Sequence, residues 1–326
     1  MTLRLGLLST AAINTKLLGG VRAAEGVEVV AVASRDRERA EAYATEHEIG
    51  RAHGSYEALL ADEEVDAVYV PLPNSLHVPW SIRALQAGKH VLSEKPLTRR
   101  PEEAQAAFDA ADRAGRVLAE AFMWRHHPQA LKLQELVRER AVGTLRLIRA
   151  TFCFDLMRAD DPGNVRLDAT LDGGGLMDVG CYCVSAMRLL AGEPERVSGR
   201  QILSGKDGVD VRFAGTLGFA GGVLGAFDCG LDMTPRAELE VIGDAGTLVL
   251  PDPWHSREPR IEVRRPDGTE VIEIEPRNPY ACELEDLAAA ARGERPLRFG
   301  REDAVGQART IAALYRSAEF GADAVP

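Results

Sequence analysis

Four short stretches in the first third of the chain combine residues suited to holding a dinucleotide. The turn Gly6-Leu7-Leu8-Ser9-Thr10-Ala11-Ala12-Ile13 follows an apolar run and leads into a helix-like segment. A G-x-G-x-x-G turn works because bare backbone lets a pyrophosphate approach a helix N-terminus. Only Gly6 fits that template, with Leu8 and Ala11 in the other glycine positions, but Ser9, Thr10, Ala11 and Ala12 keep the turn slim. Ser34-Arg35 closes the second apolar run, where an NAD enzyme places an acid for the ribose hydroxyls. A carboxylate there repels a 2′-phosphate, whereas a hydroxyl and a guanidinium bind it through charge-assisted hydrogen bonds. Arg35, helped by Arg37 or Arg39, therefore favours NADP(H) over NAD(H). The alternative is that these arginines decorate an exposed helix start while Asp36 points inward. Pro71-Leu72-Pro73-Asn74-Ser75-Leu76-His77 reads as an extended turn at the C-terminal edge of a strand, where open α/β sheets bind ligands. It offers Asn74 and His77 to cofactor or substrate, although Asn74 equally suits a turn. Glu94-Lys95-Pro96 follows another strand, and proline biases Lys95 away from helical geometry.

A second group lies further along. Asp178 and Tyr182 are four residues apart and so share one face of a helix. Leu176, Val179, Cys183, Met187 and Leu190 form a separate apolar stripe. Gly180 between them weakens a helix by roughly 1 kcal/mol relative to alanine, which implies a close approach there. Spacing alone leaves open a buried tyrosine with a satisfied hydroxyl and an aspartate placed as a helix N-terminal charge. Arg125 follows the last parallel strand and is placed to touch ligand, while His126 and His127 read as surface or structural. The polar stretch Asp155 to Asp172 suits either a lid or a solvated loop.

These residues need elements to position them. Strand-like runs at Leu3–Leu8, Glu28–Ala33, Ala67–Val70, His90–Ser93 and Val117–Ala119 alternate with helix-like segments at Asn14–Ala24, Arg37–His47, Pro79–Ala87 and Pro101–Ala114. Asp36 suits the cap of the second helix. Alternation of this kind predicts an α/β fold, an N-terminal Rossmann-type doubly wound parallel sheet over residues 1–122. Residues 123–326 change rhythm. One helix, Gly174–Ala191, precedes seven strand-like runs separated by glycine and aspartate turns, and two closing helices follow, near Pro279–Arg292 and Arg301–Gly321. That pattern predicts a C-terminal α+β domain with a large, mostly antiparallel open sheet for substrate binding and oligomerisation, the last helix returning to the first domain.

Composition excludes several classes. The 326 residues carry a net charge of -11, which argues against a nucleic-acid partner. No apolar run approaches the roughly 20 residues of a membrane helix. The first residues lack the pattern of a signal peptide, so the expected address is the cytoplasm. Five cysteines, Cys153, Cys181, Cys183, Cys229 and Cys282, fit reduced thiols better than disulfides, and no second pair at zinc spacing accompanies Cys181 and Cys183, so no metal is expected.

Taken together, E-K-P at Glu94–Pro96, P-L-P-N-S-L-H at Pro71–His77, G-G-G-L-M-D-V-G-C-Y ending at Tyr182 and the late N-P-Y-A-C-E-L-E-D-L resemble the Gfo/Idh/MocA oxidoreductases over nearly the whole chain. E-A-F-M-W-R-H-H-P-Q and the tyrosine of G-C-Y resemble the branch containing dimeric dihydrodiol dehydrogenases, NADP-dependent xylose dehydrogenases and glucose–fructose oxidoreductase. The resemblance implies that Lys95 and Tyr182 are catalytic and that Asp178 contacts substrate hydroxyls, with Arg125 and His77 nearby. It implies hydride transfer between nicotinamide and a carbon of a polyhydroxylated small molecule, a sugar or cyclic polyol. A phenol of pKa near 10 is a poor base at neutral pH, and a neighbouring ammonium lowers that value. Tyr182 then exchanges the proton while Lys95 holds the oxygen, or Lys95 acts directly. A trans-dihydrodiol dehydrogenase, a nucleotide-sugar ketoreductase and a non-catalytic NADP(H)-binding regulator are the alternatives. Pairing through the C-terminal sheet, as a homodimer or homotetramer, is also implied.

Overall fold

The computed structural model describes residues 2–156, 163–205 and 208–326. The chain divides into two compact units, residues 1–123 with 278–305, and residues 124–277 with 306–326.

In the first unit, strands β1 (Leu3–Leu7), β2 (Val27–Ala33), β3 (Arg51–His53), β4 (Ala67–Val70), β5 (His90–Glu94) and β6 (Leu118–Ala121) form one sheet in the order β3-β2-β1-β4-β5-β6. Every neighbouring pair is parallel. The connections carry α1 (Asn14–Ala23), α2 (Arg37–Glu46), α3 (Tyr56–Leu60), α4 (His77–Gln86) and α5 (Pro101–Ala114). Order reverses beside β1, and that switch point is where open α/β sheets bind dinucleotides, just beyond the strand ends. Leu5, Leu7, Val32, Tyr69 and Leu92 from the strands meet Leu17 from α1 in the core, together with Leu284, Leu287 and Ala288. The last three come from α8 (Pro279–Ala291), which returns to this unit after the intervening chain has formed the other. Burying each of those leucines contributes about 1.5–3 kcal/mol.

The second unit holds α6 (Pro128–Arg138), α7 (Cys181–Ala191) and the strands β7 (Leu145–Asp155), β8 (Pro194–Leu203), β9 (Asp210–Phe219), β10 (Leu224–Gly230), β11 (Asp232–Gly243), β12 (Thr247–Leu250), β13 (Arg260–Arg265) and β14 (Gly268–Glu273). They form an eight-stranded sheet in the order β14-β13-β12-β11-β7-β10-β9-β8. β10 runs parallel to β7, and the other neighbours are antiparallel. Along β9, Val211, Phe213, Leu217 and Phe219 are buried while Arg212, Ala214 and Thr216 are exposed, the alternation of a sheet with one packed face. The final helix, α9 (Arg301–Phe320), begins in the first unit and ends in the second.

The sequence reading misses β3 with α3, and α6 with β7, the strand at the centre of the larger sheet. It also places one uniform helix over Gly174–Ala191. Instead a π-helical turn, Leu176–Gly180, leads into α7. The approach to it is tightly packed. Gly174 has φ +122°, and a Cβ there would lie 2.2 Å from the Asp210 carboxylate, whose other oxygen accepts from Leu176 N at 2.6 Å.

Candidate functional site

In the first unit the turn after β1 is the candidate site for a pyrophosphate. Ile13, at the start of α1, supplies no side-chain cap, and the amides of Asn14, Thr15 and Lys16 donate to Ala11 O, Ala12 O and Ile13 O at 3.0, 3.2 and 2.9 Å. Ser9 Oγ accepts from Ala11 N at 3.2 Å, and Asn14 Nδ2 donates to Ser9 O at 2.7 Å, bracing the turn from within. Thr10 and Ala11 are half-buried and Ala12 is exposed. This uncapped, slim N-terminus fits a pyrophosphate. Gly6 has a different role from the one its motif suggests. It lies inside β1, and a Cβ there would meet Leu59 Cδ2 at 2.8 Å, so its bareness serves packing against α3.

At the end of β2, Ser34 is buried and its Oγ accepts from Asp36 N at 3.2 Å. Asp36 does not turn inward: its carboxylate caps α2 by accepting from Arg39 N at 3.2 Å. Of the three nearby arginines, Arg37 is the one in an ion pair among the described residues, with Glu41 at 2.8 Å. Arg35 and Arg39 both lie near Tyr56. Burial pushes the Tyr56 hydroxyl pKa up, and the two guanidinium charges oppose that rise. Two exposed guanidinium groups therefore flank one strand end beside a buried serine, a donor set suited to a phosphate monoester.

The Lys95 loop is braced on several sides. The Tyr69 hydroxyl, fully buried on β4, donates to Glu94 Oε1, and Lys95 N donates to Glu94 Oε2 at 3.1 Å. Burial first, then the Glu94 charge, holds the Tyr69 pKa well above its ordinary value. Leu97 N donates to Glu120 Oε1 at 2.7 Å. The Lys95–Pro96 peptide is cis. Glu94, expected to touch cofactor, has its carboxylate engaged by Tyr69 and by this loop. His77, expected to face a ligand, is only 1 % exposed, with Nδ1 2.9 Å from Pro96 O and Nε2 2.7 Å from Leu72 O. Burial lowers its pKa to about 4, the Lys95 charge acts in the same direction, and the two carbonyls oppose both. Pro71 and Leu72 are buried, while Pro73, Asn74 and Lys95 are half-buried.

In the second unit Tyr182 sits in an aromatic enclosure. The Phe152 ring meets it edge-on at 5.3 Å, and Trp254 lies at 5.8 Å. Trp254 is itself fixed, its Nε1 donating to Thr151 O at 3.0 Å. His255 packs edge-on to Phe152 at 5.6 Å. The segment carrying Trp254 and His255 is pinned by Asp252, which accepts from Arg257 N at 3.0 Å and pairs with His255 Nδ1 at 3.5 Å. Burial raises the Asp252 pKa, but hydrogen bonds from His255 and Arg257 outweigh it and hold the carboxyl well below its usual range. These aromatic residues escaped sequence reasoning; the signal was a tryptophan and histidine within the proline- and aspartate-bearing stretch P-D-P-W-H-S.

Asp178 lies in the π-helical turn and accepts from Arg166 Nε at 2.8 Å, a partner the sequence reading did not name. A π turn carries more residues than an α turn, and such bulges frequently mark functional sites. The apolar stripe expected on this helix is replaced by burial all round, since residues 181–188 are all buried. The close approach at Gly180 comes from the protein itself, because a Cβ there would lie 2.7 Å from Cys229 Sγ. Arg125 is 1 % exposed. His127 is structural as expected, accepting from Gln129 N at 3.1 Å at the start of α6. Of the stretch proposed as lid or loop, residues 157–162 lie outside the described residues, and Val165–Leu167 and Ala169–Leu171 form short 3-10 turns. All five cysteines are buried and in no disulfide, and no group of metal-ligating side chains occurs among the described residues. No described helix is long and apolar enough to cross a membrane.

Comparison with known proteins agrees with this arrangement. A D-xylose 1-dehydrogenase (NADP(+)) of Haloferax volcanii is 41% identical, covering 97% of this chain and 98% of its own length. A 3-ketoreductase from Actinomadura kijaniata, solved in complex with NADP and TDP-benzene, superposes with a TM-score of 0.90 at 31% identity, over 97% of this chain and 98% of that one. An aldose-aldose oxidoreductase from Caulobacter crescentus, complexed with glycerol, gives a TM-score of 0.92 at 26% identity over 100% of both chains. Residues 5–122 match the model of an oxidoreductase family with an NAD-binding Rossmann fold, and residues 130–249 match the GFO/IDH/MocA C-terminal domain. With both halves matched in order, the chain belongs to the Gfo/Idh/MocA family of NAD(P)-dependent oxidoreductases.

Proposed function

We propose that this enzyme uses NADP(H) to interconvert a hydroxyl and a carbonyl on a sugar or cyclic polyol, with Lys95 and Tyr182 as its catalytic residues and Asp178 as a contact for substrate hydroxyls. Bound nicotinamide supplies the hydride donor or acceptor. The chain's own work is to orient the ligands, exclude water and move one proton at the substrate oxygen. The uncapped start of α1 and the Ser9–Ala12 turn hold the pyrophosphate, with Pro71–Asn74 lining the neighbouring strand end. Ser34, Arg35 and Arg39 bind the 2′-phosphate. The Lys95 ammonium holds the reacting oxygen, and the Tyr182 phenol exchanges the proton with it.

The observation that carries the substrate class is the surround of Tyr182. Phe152 and His255, packed beside the buried Trp254, offer ring surface suited to the C–H face of a sugar ring, and Asp178, one helical turn before the phenol, accepts hydroxyls. Arg166 Nε donates to one carboxylate oxygen of Asp178 at 2.8 Å and so holds the group ionised and oriented as an acceptor. The relatives named for aldoses support the same class. The ketoreductase solved with a thymidine diphosphate analogue supports a second reading, reduction of a nucleotide-linked keto-sugar. Pairing of two or four copies through the β7–β14 sheet remains part of the proposal.

The test follows absorbance at the NADPH band with purified enzyme. NADP+ is offered with D-xylose, D-glucose and a trans-dihydrodiol, and NADPH with a nucleotide-linked keto-sugar. Turnover of free aldoses supports the first reading, and turnover of the nucleotide-linked substrate alone selects the second. Loss of both activities in Lys95→Met is expected, and full turnover in that variant refutes the assignment. Sedimentation at micromolar concentration tests the assembly, and a monomer refutes it.

A further inference from the structure

His77 sits between two segments that the proposed function assigns to different tasks. Pro71–Asn74 borders the dinucleotide, and Glu94–Leu97 carries the reacting lysine. The imidazole lies against a backbone carbonyl from each, Leu72 O at 2.7 Å from Nε2 and Pro96 O at 2.9 Å from Nδ1. The ring is 1 % exposed and stands at the first residue of α4, so neither solvent nor ligand competes for its nitrogens. Both segments are otherwise anchored separately. Ser9 Oγ reaches Pro71 O at 3.5 Å on one side, and Glu120 grips Leu97 N at 2.7 Å on the other.

We propose that His77 is a positioning residue that ties the cofactor turn to the Lys95 loop and so fixes the distance between nicotinamide and the lysine. The functional half of this claim rests on the roles given above to Lys95 and to Pro71–Asn74; the mechanical half does not. In the neutral ring one nitrogen donates to its carbonyl, and the rigid five-membered ring carries that bond at a fixed distance from the second carbonyl, which it meets by contact alone. Side chains that position reacting groups matter because a misplacement of about 1 Å can cost on the order of 100-fold in rate.

Three variants test it. His77→Leu removes both nitrogens, His77→Asn keeps a donor near the place of Nδ1, and His77→Gln keeps one near the place of Nε2. Hydrogen exchange is read in segments 71–76 and 94–98, with β1 and α1 as internal controls. His77→Leu is expected to speed exchange at least tenfold in both segments while the controls stay protected. One of the two amide variants is expected to restore protection in both. Should His77→Leu fail to fold, the amide pair decides: the variant with the matched donor protects both segments and the other does not. Loosening of one segment alone, equal behaviour of the amide variants, or uniform loosening of the controls overturns the tie. Kinetics read the functional half, with a fall in kcat at least tenfold larger than the change in KM for the sugar in the unrescued variants. If exchange behaves as stated but kcat does not respond, the fault lies with the catalytic assignment of Lys95 rather than with the tie.

Discussion

Replacing Arg35 by alanine should weaken NADPH without weakening NADH. Its guanidinium stands exposed at the end of β2, with Asp36 committed to the cap of α2 and Arg37 paired to Glu41. A hydrogen bond to a charged group is worth about 1.5–3 kcal/mol, and exposure argues for the lower end. A loss of about 1.5 kcal/mol corresponds to a roughly tenfold rise in Kd. Arg39 approaches Tyr56 from α2 and would share the same phosphate, so the double variant should lose less than the sum of the single losses, because neighbouring contacts to one group are not additive. The assay is titration of nucleotide fluorescence with each coenzyme at about 0.05 M and about 0.3 M salt. Salt should erode the NADPH affinity of the wild type more than that of the variant, since screening acts on the charge that was removed. Equal weakening of NADH, or an NADPH Kd unchanged within twofold, refutes the reasoning.

Other perturbations follow from the same geometry. Tyr182→Phe should lower kcat by about 100- to 10,000-fold with little change in NADPH Kd, measured by steady-state kinetics beside a direct titration. Gly174→Ala should destabilise the second unit by more than about 3 kcal/mol, because a positive φ and a clash with Asp210 coincide there; urea unfolding reads it. The Asp252 carboxyl is held below its unfolded value, so its contribution is full above about pH 4 and is lost as pH falls below that. Near-ultraviolet circular dichroism of Trp254 should therefore collapse in acid at a pH that Asp252→Asn makes less distinct.

Much of the architecture is legible because local signals agree with it. Alternating apolar runs mark five of the six strands in the smaller sheet, and Asp36 caps α2 as its position suggests. β3 escapes because three residues are too few to show a period, and α3 because five residues are too few for a face. β7 escapes for another reason: arginines at positions 146 and 149 interrupt its apolar pattern, and its central place depends on partners remote in sequence. At the proposed site, side-chain type and motif single out Lys95, Tyr182, Asp178 and Arg35. What motif cannot mark is direction. His77 and Glu94 belong to the right segments yet spend their polar atoms on backbone and on Tyr69. Arg166, Trp254 and His255 reach their neighbours only through tertiary folding.

The return of α8 into the first unit bears on how the molecule is made. A ribosome delivers β1 through β6 early, but Leu284, Leu287 and Ala288 arrive only after every strand of the other sheet has been synthesised. Until then the nascent nucleotide half lacks part of its interior beside α1, and a truncation ahead of Asn278 would leave it permanently unfinished. A cell expressing the first 123 residues alone should thus accumulate a chaperone client rather than a free-standing coenzyme binder.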